Sequence, residues 1–96
     1  MSNLKEHLLN RRVHPEPLHA CLMEAMSRCD IRPADARATA DVLVTTDTWG
    51  VYTHGSKQLR YLLRLRPDRM DPRAVPEVVA EGPAWAIVDG NYALAT

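Results

Sequence analysis

From Glu16 onward, apolar residues recur at Leu18, Cys21, Leu22, Ala25, Met26 and Cys29. Steps of three and four place them on one face of an amphipathic helix. Cys29-Asp30-Ile31-Arg32 breaks the pattern, and Pro33 suits the first turn of a second helix, where its missing N–H has no intrahelical partner to lose. Asp35 then lies near the positive end of that helix's dipole. Ala36, Ala40, Leu43 and Val44 supply the second buried stripe, and the small members let a neighbouring helix approach closely. This pattern runs down by Thr48, with Gly50 marking the end.

Thr53 fits the N-cap of a third helix over His54 to Leu65, with Leu59, Leu62 and Leu63 facing inward. Pro67, Pro72 and Pro76 exclude helix beyond it. Glu77 to Glu81 and Ala84 to Asp89 then read as two short strands joined through Gly82-Pro83, and Gly90-Asn91 forms another turn. The expected class is α+β: a three-helix layer followed by a β-hairpin. An isolated hairpin is marginal in water and needs more strands or a helix across its face. The organisation therefore reads as a polar lead-in over 1–15, a helical segment over 16–66, a proline-rich link over 67–76 and, over 77–96, the hairpin start of a truncated catalytic domain.

Length and composition limit what this layout can do. A chain of 96 residues is one small domain at most. It buries roughly 60–65% of its unfolded surface, and with no Phe its core is built from small aliphatic residues. Zero net charge argues against a nucleic-acid module or a binder of acidic membranes taken as a whole. The charge is uneven, however. Between Gly55 and Arg73 six bases (Lys57, Arg60, Arg64, Arg66, Arg69, Arg73) face two acids, whereas three acids and no base follow Ala74. Such a stretch is a solvated helix face or an attractor for an anionic substrate.

Cys21 and Cys29 stand eight residues apart on one helix face. That is about 12 Å along the axis, too far for a disulfide between them. They read as small buried hydrophobes in a reducing compartment. The first residues carry no apolar signal segment and no run approaches a membrane span, so the expected location is cytoplasmic.

The candidate chemistry lies between the second and third helical patterns, in Asp47-Thr48-Trp49-Gly50-Val51-Tyr52-Thr53-His54-Gly55-Ser56-Lys57. A histidine at a helix start feels the positive end of the dipole, which favours neutral imidazole. First-turn N–H groups, with Lys57 and Arg60 close by, offer an anion clamp. An imidazole beside such a clamp suits proton transfer at a hydroxyl or carbonyl near a carboxylate. On spacing alone, a histidine that merely packs at the helix start fits better still. His7, His14 and His19 form no ligand pair and read as surface or rim positions. Trp49 and Tyr52 line a pocket or simply pack, and Trp85 on its strand reads as core.

The run Ala40-Asp41-Val42-Leu43-Val44, then Asp47-Thr48-Trp49-Gly50-Val51, then Thr53-His54-Gly55 resembles the N-terminal region of the type 2 malate/L-lactate dehydrogenase family. That family includes ureidoglycolate and diketogulonate dehydrogenases. Its downstream V-D-G is matched by Val88-Asp89-Gly90. The resemblance runs from about Glu16 to the end and covers roughly the first quarter of a typical member. It implies a non-Rossmann fold, in keeping with the lack of G-x-G-x-x-G. It also implies interconversion of 2-hydroxy and 2-oxo acids with NAD or NADP, by a homo-oligomer acting on a small molecule with neither nucleic acid nor membrane as partner. His54 is implied to be the acid/base, with Lys57, Arg60 and Thr53 toward the substrate. Many members place an arginine four residues after the histidine; here that residue is Gln58. Most of the nicotinamide-binding sheet would lie beyond Thr96, so the chain is expected to be inactive alone. Two competing expectations come from other classes. One is a helical binding module that uses the basic third helix on nucleic acid or an acidic partner. The other is a degenerate subunit that pairs through the open hairpin edge.

Overall fold

The computed structural model describes residues 12–64 and 68–94. Among them three α-helices precede an antiparallel hairpin: α1 (Pro15–Arg28), α2 (Pro33–Thr48), α3 (Gln58–Leu63), β1 (Glu77–Gly82) and β2 (Trp85–Asp89), with a 3-10 turn at Tyr52–His54 between α2 and α3. The arrangement is α+β, as the pattern predicts. Both long helices begin with proline in the first turn, after residues in extended conformation (His14 and Arg32). Neither has a side-chain cap. Proline replaces capping there, because its fixed φ is already helical.

α1 and α2 pack against each other and form the core. Leu22 and Met26 of α1 meet Ala36, Ala40, Leu43 and Val44 of α2, with Ile31 from the connecting turn and Leu59 from α3 closing the cluster. Every member of the stripe expected on α2 is buried, and Thr39 joins it. Ala36 and Ala40 are what let the helices approach, and Met26 and Leu43 fill the centre. Burial of each large side chain contributes on the order of 1.5–3 kcal/mol. A His19 Nε2 to Asp41 Oδ1 contact of 2.6 Å ties the exposed flank of the same two helices.

The proline-rich link also contributes to the core, since Met70 and Ala74 are buried. Arg32 holds it by donating to the Ala74 carbonyl at 3.1 Å while paired with Asp35, and Arg73 reaches Asp30 at 3.2 Å. The hairpin turns through Pro83-Ala84, and a register irregularity between Val78 and Ala80 leaves Val79 as an extra residue on β1.

Four expectations are corrected. Trp85 is 56% exposed, and every hairpin residue except Gly82 is exposed, because no layer among the described residues covers either face. Cys21 is exposed and only Cys29 is partly buried, since the α1 contact surface is narrower than its apolar stripe. Trp49 and Tyr52 are exposed and so do not pack on the core. The third helix is six residues long and starts at Gln58, with Lys57 rather than Thr53 at its N-cap. The expected residues Leu65, Arg66 and Pro67, like the lead-in through Arg11, lie outside the described residues. No described helix is long and apolar enough to cross a membrane.

Candidate active site

The histidine loop begins where α2 ends. Trp49 caps the helix in αR conformation, and Gly50 follows at φ +81, a left-handed backbone that side chains rarely adopt. The reversal is held by Gly50 N donating to Asp47 O at 2.9 Å and Val51 N to Thr46 O at 3.2 Å. Tyr52-Thr53-His54 then tightens into the 3-10 turn, in which His54 N donates to Val51 O at 3.1 Å. His54 therefore closes a separate turn four residues before α3. The expected placement of its ring at the start of a helix is not what forms.

The reason lies at Gly55, whose backbone (φ −96, ψ −147) is not helical, and in the contacts around it. The Asp47 carboxylate accepts the Ser56 N–H at 3.1 Å. Gly55 is buried against that same carboxylate, and a β-carbon there would overlap it. Gln58 donates from Nε2 to the Thr53 carbonyl at 2.6 Å. The Thr53 carbonyl, which would accept the Lys57 N–H in a helix running from His54, is bound by Gln58 instead.

His54 is exposed, and its Nδ1 lies 2.9 Å from Thr53 Oγ1. A hydroxyl can either donate or accept. With the proton on Nδ1 donated to Thr53 Oγ1, the lone pair of Nε2 is left to take up a proton from outside. Among the described residues Nε2 has no hydrogen-bond partner. Lys57 and Arg60, three and six residues on, are exposed and pair with no acid among the described residues. The structure thus gathers His54 and Thr53 through a direct contact, and keeps Lys57 and Arg60 on the same short segment without contact to either. Asp47 carries no assigned role in the spacing argument. Its signal was its place in the motif seven residues before His54.

The loop surface is open, with Trp49, Tyr52 and Tyr61 mostly exposed around it. A groove of about 330 Å³ between α2, the link and the end of the chain is lined by Ile31, Ala38, Val42, Pro72, Ala74 and Leu94 among others, and by no residue of the loop. The described residues supply no enclosed cradle beside His54 for a nicotinamide coenzyme. No group of three or more His, Cys, Asp or Glu among them is placed to hold a metal ion.

Residues 13–96 match the family model of malate/L-lactate dehydrogenase. The chain is similar to the L-sulfolactate dehydrogenase of Methanocaldococcus jannaschii, 30% identical over 81 residues, which is 83% of this chain and 24% of that protein. The malate dehydrogenase of Pyrococcus horikoshii is 30% identical over 84 residues, 86% of this chain and 23% of that enzyme. That of Pyrococcus abyssi is 25% identical over 81 residues, 83% and 22% respectively. No solved structure matches. The chain spans about a quarter of the length of the curated relatives it matches. With the family match covering nearly all of its described residues, histidine loop included, the chain belongs to the malate/L-lactate dehydrogenase family.

Proposed function

We propose that these residues form the N-terminal part of an NAD- or NADP-dependent oxidoreductase that interconverts 2-hydroxy and 2-oxo acids, with His54 as the group that moves the hydroxyl proton. The observation that supports this reading is the His54 ring itself, braced at Nδ1 by Thr53 and open at Nε2, with Lys57 and Arg60 on the same segment and unpaired among the described residues. In the oxidative direction a neutral imidazole accepts the hydroxyl proton at Nε2, while Nδ1–H donates to Thr53. In the reductive direction the imidazolium returns that proton to the carbonyl oxygen. Nδ1–H donates to Thr53 in both states, so neither requires the ring to turn.

Lys57 and Arg60 attract the substrate carboxylate. Gln58 carries no charge and spends its amide on Thr53, so it leaves this task to them. The relatives' names specify sulfolactate and malate. Both are 2-hydroxy acids with a second anionic group, which suits a segment offering two bases. Because the described residues do not fit a nicotinamide by themselves, hydride transfer is assigned to the intact enzyme, and the chain alone gives no turnover. The exposed hairpin becomes part of a larger non-Rossmann sheet in that enzyme. The binding-module reading loses support, since α3 is a single short helix whose six residues include one base, Arg60.

Grafting residues 13–96 in place of the matching segment of the Pyrococcus horikoshii malate dehydrogenase tests the assignment. The graft is expected to oxidise NADH or NADPH in the presence of a 2-oxo acid, and the isolated chain to bind neither coenzyme by calorimetry. A folded graft without any activity, or turnover by the isolated chain, contradicts it.

A further inference from the structure

Asp47 sits in the last turn of α2, which contains no base. A carboxylate there faces the negative end of the helix dipole, which works against the helix. What offsets this is its reach across the loop. One carboxylate oxygen accepts the Ser56 N–H at 3.1 Å, and the other lies against the buried Gly55, at the space a β-carbon would take. These two residues directly follow His54. The loop's other end is tied to the same residue, because Gly50 N donates to the Asp47 carbonyl at 2.9 Å. A single residue therefore fixes the chain on both sides of the 3-10 turn that carries the imidazole.

We infer that Asp47 is a positioning residue, which sets the orientation of the His54 ring through Gly55 and Ser56 without touching the substrate. Its importance for catalysis rests on the role proposed for His54, but its effect on the ring does not. Charge and size act together here. The carboxylate gives a strong acceptor for an otherwise unpaired amide, and Gly55 allows that carboxylate to come close. Any side chain at residue 55 pushes Asp47 away and releases Ser56 with it.

The full 96-residue chain, labelled for NMR, supplies the test. Asp47→Ala is expected to speed hydrogen exchange at the Ser56 amide on the order of tenfold and to change the 15N signature of the two His54 ring nitrogens. Asp47→Asn retains an acceptor of the same shape and is expected to restore both signals most of the way. Gly55→Ala is expected to reproduce the Asp47→Ala signature, and the double variant to add little to either single change. Amides of the α1–α2 core serve as the internal reference, since none of these variants alters that packing. Unchanged Ser56 exchange and unchanged His54 ring signals in Asp47→Ala overturn the inference, as does Asp47→Asn behaving like Asp47→Ala. An inactive graft with these NMR responses intact removes the proposed reaction and leaves the positioning role standing.

Discussion

His54 lies on the surface of the described structure, yet its setting is more constrained than exposure suggests. Thr53 holds one ring nitrogen, Gln58 holds the Thr53 carbonyl, and the Asp47–Gly55–Ser56 contact fixes the chain that follows. These bonds order a group that gives the fold little stability in return. His54→Gln is accordingly expected to shift the unfolding free energy by less than about 0.5 kcal/mol, measured by urea titration. Thr53 separates a bracing role from simple polarity. In the graft, Thr53→Val removes the hydroxyl on Nδ1 and lowers kcat on the order of tenfold, whereas Thr53→Ser keeps it, since orientation by one neutral hydrogen bond amounts to about 1 kcal/mol. Equal kcat values in the two variants argue against the bracing.

At the scale of elements, α1 and α2 were legible because local rules and packing agree. The three-four spacing, the prolines at both starts and Gly50 at the end of α2 all point to the same boundaries. The hairpin was legible from its turn residues. The third helix was not, since spacing does not reveal that Gly55 takes a non-helical backbone against Asp47 or that Gln58 binds the Thr53 carbonyl. The His19–Asp41 contact and the burial of Met70 and Ala74 were hidden for the same reason, because each depends on residues far apart in the chain. Leu43→Ala on α2 leaves a cavity at the centre of the helix pair and is expected to cost about 2–5 kcal/mol, read as a lowered Tm. At the N-cap of α3 and within it, Lys57→Ala and Arg60→Ala are expected to raise KM for the oxo acid in the graft several-fold with kcat nearly unchanged, since each removes ground-state attraction only. A large fall in kcat instead would place these side chains at the reacting atoms.

For the molecule as a whole, the helical layer and the hairpin have unequal support. Leu22, Met26, Ala40 and Leu43 are buried among one another, while Val78, Val79, Trp85, Ile87 and Val88 are exposed. The sequence gives both groups the same apolar character, and only packing separates them, which is why Trp85 reads as core until its surroundings are known. Ile87→Lys is therefore expected to leave the unfolding free energy of the helical layer within about 0.5 kcal/mol of its unsubstituted value, followed by circular dichroism at helical wavelengths. A marked loss of helix stability on that substitution means that the hairpin packs on the helices in solution. The chain spans about a quarter of each relative's length, and the histidine loop lies within that part. The most direct measurement is the kcat of the grafted enzyme with His54 against the same graft carrying His54→Gln, both checked for equal folding. A general acid/base at this site predicts a fall of about 10²–10⁴-fold, and equal turnover by the two proteins would contradict it.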